Sequence, residues 1–119
     1  MDKFYFYSDD ESFNDYITYT EKDIAEVNKN GITMKDGYII DFSKCADEFE
    51  KMHPGSSKKC VAERSAPVFI FYTSPKPTMV KFLQRNRLIR LIFPTSTWKR
   101  CYALQKQINH FGYRTYDTT

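Results

Sequence analysis

The segment Val68-Phe69-Ile70-Phe71-Tyr72 is an uninterrupted apolar run of strand length. Without polar alternation it reads as a central strand buried on both faces. The second strong pattern is helical. Cys101, Leu104, Ile108 and Phe111 recur at spacings of 3, 4 and 3, a buried stripe on a helix over about 97–111. Thr95 or Ser96 supplies its cap and Gly112 suits the position just past its end. A chain of 119 residues holding both patterns fits one domain with its own core.

The remaining elements are weaker but consistent. Lys3–Tyr7 and Ile17–Thr20 read as strands, and Ser8–Glu11 has capping-box spacing. Residues 21–29 fit either a turn capped by Thr20 or another strand. Ile32-Thr33-Met34 and Tyr38–Asp41 flank Lys35-Asp36-Gly37, where the Asp-Gly pair predicts a tight hairpin with positive φ angles. Ser43 caps a second helix over about 43–52, with Ala46, Phe49 and Met52 on one face, stopped by Pro54. Residues 78–86 fit a helix or a strand turning at Arg85-Asn86-Arg87. Leu88–Phe93 is a strand with Arg87 and Arg90 toward water, and Tyr113–Tyr116 closes the chain. The expectation is a single compact α+β domain over residues 1–119, with a mixed or antiparallel sheet and two main helices.

The net charge of +3 hides a division along the chain. Residues 1–50 carry thirteen acids against five bases, whereas residues 51–119 carry thirteen bases and only Glu63 and Asp117 as acids. The sign changes at His53-Pro54-Gly55-Ser56-Ser57-Lys58-Lys59, a loop seam over 53–59. Such asymmetry points to charged partners. Its alternative is intramolecular, the two halves neutralising each other on folding.

Several functions lack their residues. The four glycines match neither nucleotide-binding loop. Cys45, Cys60 and Cys101 are odd in number and far apart, and His53 and His110 are also far apart, so no structural zinc site is expected. Asp41, Asp47, Glu48 and Glu50 are the candidate carboxylates for a divalent ion. They lack the lysine spacing of the commonest nucleases, and Asp47, Glu48 and Glu50 read as the solvated face of the first helix. Cys101 or Ser96 with His110 would assemble a noncanonical enzyme site only on paper, because Cys101 lies on an apolar stripe. No cofactor, no metal and no catalysis are expected. No run approaches a membrane span and no secretory leader is visible, so a cytoplasmic protein without a membrane partner is the reading.

Two surfaces are candidates. The basic half interleaves cations with aromatics, and Lys76, Lys81, Arg85, Arg87, Arg90, Lys99 and Arg100 are candidate nucleic-acid contacts. Arg85, Arg87 and Arg90 lead, as exposed together by a turn and a strand face. The acidic half offers Tyr7, Asp9, Asp10, Glu11, Tyr16 and Tyr19 as a protein-binding surface, since tyrosine supplies contact area and a polar tip. The same aromatics suit a homodimer. The composition, rich in Phe, Tyr, Lys, Asn and Ile, is that of an AT-rich genome. Small proteins without catalytic motifs are common in phages and mobile elements. The functional expectation is a non-enzymatic binding protein that modulates or inhibits a host nucleic-acid-handling or defence protein. Direct DNA or RNA binding is the alternative.

Overall fold

The computed structural model describes residues 16–52, 66–72 and 78–117. The expected strand at 3–7, the turn at 8–11, the seam at 53–59 and the loop at 74–77 lie outside them. The chain runs through β1 (Tyr16–Thr20), a 3-10 turn, β2 (Ile24–Asn28), β3 (Gly31–Met34), β4 (Ile39–Asp41) and α1 (Phe42–Met52). It continues through β5 (Ala66–Tyr72), β6 (Met79–Gln84), β7 (Arg87–Ile92), a second 3-10 turn, α2 (Trp98–His110) and β8 (Tyr113–Asp117). This is the α+β arrangement with two main helices that the sequence predicts. The strands divide into a five-stranded sheet, β1-β7-β6-β5-β8, and a three-stranded sheet, β2-β3-β4. The smaller is antiparallel. The larger is mixed: β6 is antiparallel to β5 and β7, while β1 runs parallel to β7 and β8 parallel to β5. The apolar run is thus an interior strand.

Turn chemistry explains the hairpins. In the β3–β4 connection only Gly37 has positive φ, at +95°; Asp36 does not share it. The loop is a three-residue one. Gly37 N–H donates to the Met34 carbonyl at 2.9 Å, and Met34 N–H donates to the Tyr38 carbonyl at 2.8 Å. Asp36 contributes its carboxylate instead, accepting from Tyr38 N–H at 2.9 Å. The β6–β7 connection is the tighter one. Arg85 and Asn86 both sit at positive φ, 52° and 62°, between the paired Gln84 and Arg87. That is a type I′ geometry, built with an arginine where Asn or Gly is the ordinary choice.

Helix α1 starts one residue before the expected boundary, and its cap is Asp41, not Ser43. The Asp41 carboxylate accepts from Ser43 N–H at 2.9 Å and Lys44 N–H at 3.3 Å, and the Ser43 hydroxyl donates to it at 2.6 Å. Asp at this position neutralises orphan amides of the first turn and favours the positive end of the helix. The solvated acidic face expected of α1 is only partial: Glu48 is buried, with Lys51 at 3.6 Å.

One core joins all four layers. Tyr19 from β1, Val80 and Phe82 from β6, and Ile89 and Leu91 from β7 point from one face of the large sheet. They meet Ile32, Met34 and Ile40 of the small sheet, Phe42 and Cys45 of α1, and Cys101, Leu104 and Ile108 of α2. Each large apolar side chain removed from water contributes about 1.5–3 kcal/mol. The helical stripe read from the sequence is the α2 contribution, with Phe111 packed half-buried beside it.

Candidate functional site

The two hairpins meet. The β6–β7 turn abuts the β3–β4 loop and the first turn of α1, leaving an open cleft of about 530 Å³. Gly37, Tyr38, Ile39, Asp41, Lys44, Gln84, Arg85 and Arg87 line it. Three cations therefore come from three elements, against one carboxylate. Ile39, on the apolar side, is 56 % exposed, unusual for an isoleucine in a strand.

Gln84 holds the cleft's floor. Its side chain is buried, and its amide mimics a strand partner. The carbonyl oxygen accepts from Asp41 N–H at 2.7 Å, while the amino group donates to the Ile39 carbonyl at 3.1 Å and to the Tyr38 hydroxyl at 3.3 Å. This one residue stitches the large sheet to the edge strand of the small one.

Electrostatics follow from these contacts. The hydroxyl of Ser43 and the amides of Lys44 and Ser43 hold the Asp41 carboxyl below its ordinary pKa, helped by the nearby Lys44 charge and opposed by burial. A pKa depressed by folding contributes stability above the unfolded value, about 3.9, and that stability disappears as pH falls through the folded pKa. The stability advantage of the native protein over Asp41→Asn should therefore be largest near neutral pH and vanish in acid. Urea melts from about pH 7 down to about pH 2.5 measure it, and a gap that does not change with pH would count against the assignment.

Arg85 is exposed at the mouth of the cleft and makes no ion pair among the described residues. A left-handed non-glycine residue carries backbone strain of the order of 1 kcal/mol, and such strain tends to mark working positions. Arg85→Asn should accordingly raise stability by about 0.5–1 kcal/mol, seen as a melting point about 2–5 °C higher. No gain in melting temperature would show that the turn is unstrained.

The other candidate residues are scattered. Arg87 and Arg90, expected on one wet face, lie on opposite faces of β7, because three residues along a strand invert the side-chain direction. Arg87 reaches the cleft; Arg90 lies on the outer face, donating to Thr18 Oγ1 at 2.7 and 3.1 Å with its guanidinium 4.5 Å from the Tyr16 ring centre. Lys81 is only 5 % exposed, so it is no surface contact for a phosphate. It occupies an interior strand, in register between Ile70 and Arg90, where solvent does not reach. Lys99 lies 5.8 Å from the Trp98 ring on α2, and Arg100 is ion-paired with Glu21. That last pair spans the acidic and basic halves, an instance of neutralisation within the fold. Lys76, Tyr7, Asp9, Asp10 and Glu11 lie outside the described residues.

Among the tyrosines, Tyr16 is 51 % exposed but Tyr19 belongs to the core. The Tyr19 hydroxyl donates to Asp36 at 2.9 Å, and burial with that carboxylate raises its pKa to about 12. It is a packing residue because β1 alternates and its position faces inward.

The described thiols are buried. Burial, reinforced by Asp41 and Glu48, pushes Cys45 far up, and burial raises Cys101 to about 12. Cys101 and His110 stand nine residues apart on α2, roughly 13 Å along its axis, so they do not form a pair. Among the described residues no three metal-ligating side chains gather, and no helix is long and apolar enough to cross a membrane.

Tyr38, Ile39, Lys44 and Gln84 line the cleft although the sequence does not single them out, and Asp41 stands out there only as a candidate metal ligand. Nothing local marks them, since their partners stand about forty positions away, as with the Asp41–Gln84 bond at a separation of 43. Compared with protein-family models, curated proteins and solved structures, the chain matches none.

Proposed function

We propose that the protein is a non-enzymatic binding domain that engages a polyanionic macromolecule through the cleft between its two hairpins. The observation that carries this is the convergence of Lys44, Arg85 and Arg87, from α1, the turn and β7, on one concavity. Clustered cations at a concave site focus positive potential and steer anions toward it. The buried, high-pKa thiols favour binding over nucleophilic chemistry.

Heparin chromatography tests the reading. Arg85→Asn with Arg87→Ala should elute the protein at distinctly lower salt, while Lys106→Ala, on the exposed face of α2, should elute nearly as the native chain. Equal shifts for both would mean that diffuse charge, and not the cleft, holds the polyanion.

A protein partner is the second reading, and Tyr16 favours it. This exposed aromatic, backed by Arg90 and Thr18, lies on the terminal strand of the large sheet as described. A rigid aromatic with an arginine behind it is the composition of an interface anchor. Within this reading the modulation of a host nucleic-acid-handling or defence protein is the role proposed.

A further inference from the structure

We infer that the occupant of the cleft is a single strand of nucleic acid, its phosphates held by Lys44, Arg85 and Arg87 and one base lying against Ile39 and Tyr38. This rests on the reading of the cleft as a polyanion site, and goes further by assigning the polymer.

Three features select it. The first is scale and shape: about 530 Å³ of concave space admits a nucleotide unit, whereas a duplex presents a broad convex cylinder that cannot enter. The second is the mixture of walls. Cations line one part, and a half-buried tyrosine with a 56 % exposed isoleucine lines another. A single strand repeats this pairing in every residue, a charged phosphate beside a flat apolar base face. An acidic peptide answers the cations but leaves the apolar wall without a counterpart. The third is the floor. Both donors of the Gln84 amide are spent on Ile39 and Tyr38, and its oxygen on Asp41, so the floor amide itself does not read base edges. Binding is therefore tolerant of sequence, driven by phosphate contact and stacking.

Labelled single strands of about twelve nucleotides, one DNA and one RNA of matching sequence, are titrated with the full chain across about 50 to 200 mM salt; the strand held more tightly names the source. A duplex of equal length and a polyglutamate chain of similar charge are the comparators. Three phosphate contacts predict a slope of log affinity against log salt near −2, about a 20-fold loss over that range. Arg85→Asn should flatten the slope by about 0.7. Ile39→Ser should weaken binding about fivefold at every salt concentration and leave the slope unchanged, the signature of lost base contact. The duplex should bind at least tenfold more weakly. Equal binding of duplex and single strand overturns the assignment, as does an Ile39→Ser variant that binds like the native chain. Capture of polyglutamate with no binding of either oligonucleotide removes the nucleic acid but leaves the cationic cleft standing. No binding of any polyanion removes both.

Discussion

Gly31→Ala is expected to cost about 3–4 kcal/mol, a large fraction of the total stability of a domain of this size, and to lower the melting temperature by about 10–20 °C. A Cβ at Gly31 would stand 2.0 Å from the Ile40 carbonyl oxygen and 3.0 Å from its carbon. Those atoms are backbone of the paired strand, so no rotamer change relieves the overlap. β3 and β4 must separate, breaking the Gly31–Asp41 pairing and displacing the Asn30 carbonyl from Phe42 N–H, now at 3.0 Å. Because Asp41 caps α1 and lines the cleft, the damage reaches the helix start and the cleft. Gly37→Ala is the contrast. Its φ of +95° makes alanine strained, but nothing lies within 4 Å of the added carbon. It should cost only about 1 kcal/mol. Urea melts of the two variants measure the difference, and similar losses would mean that backbone conformation, not the close approach to β4, decides both.

Gln84→Ala is expected to cost about 3 kcal/mol and to lower the melting temperature by about 10 °C. The change leaves Asp41 N–H and the Ile39 carbonyl without their buried partner and empties the space the side chain fills. A polar group left unpaired away from water costs more than its bond was worth. Gln84→Glu sharpens the test. A carboxylate still accepts from Asp41 N–H but has no donor for Ile39, so the variant should be unstable near neutral pH and recover partly in acid, as the group regains a proton. A stability loss below about 1 kcal/mol for Gln84→Ala would show that the sheet junction does not depend on this amide.

Gln84 also shows where sequence reading stops. Residues 78–86 fit a helix as well as the strand they form, whereas the helix stripe of Cys101, Leu104 and Ile108, the apolar strand at 68–72 and the hairpin around Gly37 are legible. Each depends on neighbours within a few positions, through side-chain period or local turn chemistry. The ambiguity at 21–29 was real, because the segment holds both a 3-10 turn and a strand.

The candidate site residues divide for a physical reason. Arg85 and Arg87 of the basic half converge on the cleft, but with Lys44 of the acidic half. Alternation alone was enough to separate Arg87 from Arg90, yet it could not say which face of β7 meets water. Lys81 shows the same limit: a lysine is exposed by default, and only the neighbours of an interior strand bury it. Tyr16 and Tyr19, three apart on β1, likewise divide between solvent and core.

Local period and turn residues thus decide which segments become helix, strand or hairpin, because those preferences act over a few residues of chain. The division into two sheets, the burial of Lys81, the inward position of Tyr19, and the meeting of residues 37–44 with 84–87 belong to the folded whole. They arise from packing contacts between segments some forty positions apart, and no short-range preference encodes such a juxtaposition. The cleft is a product of that packing, and its three cations come together only there.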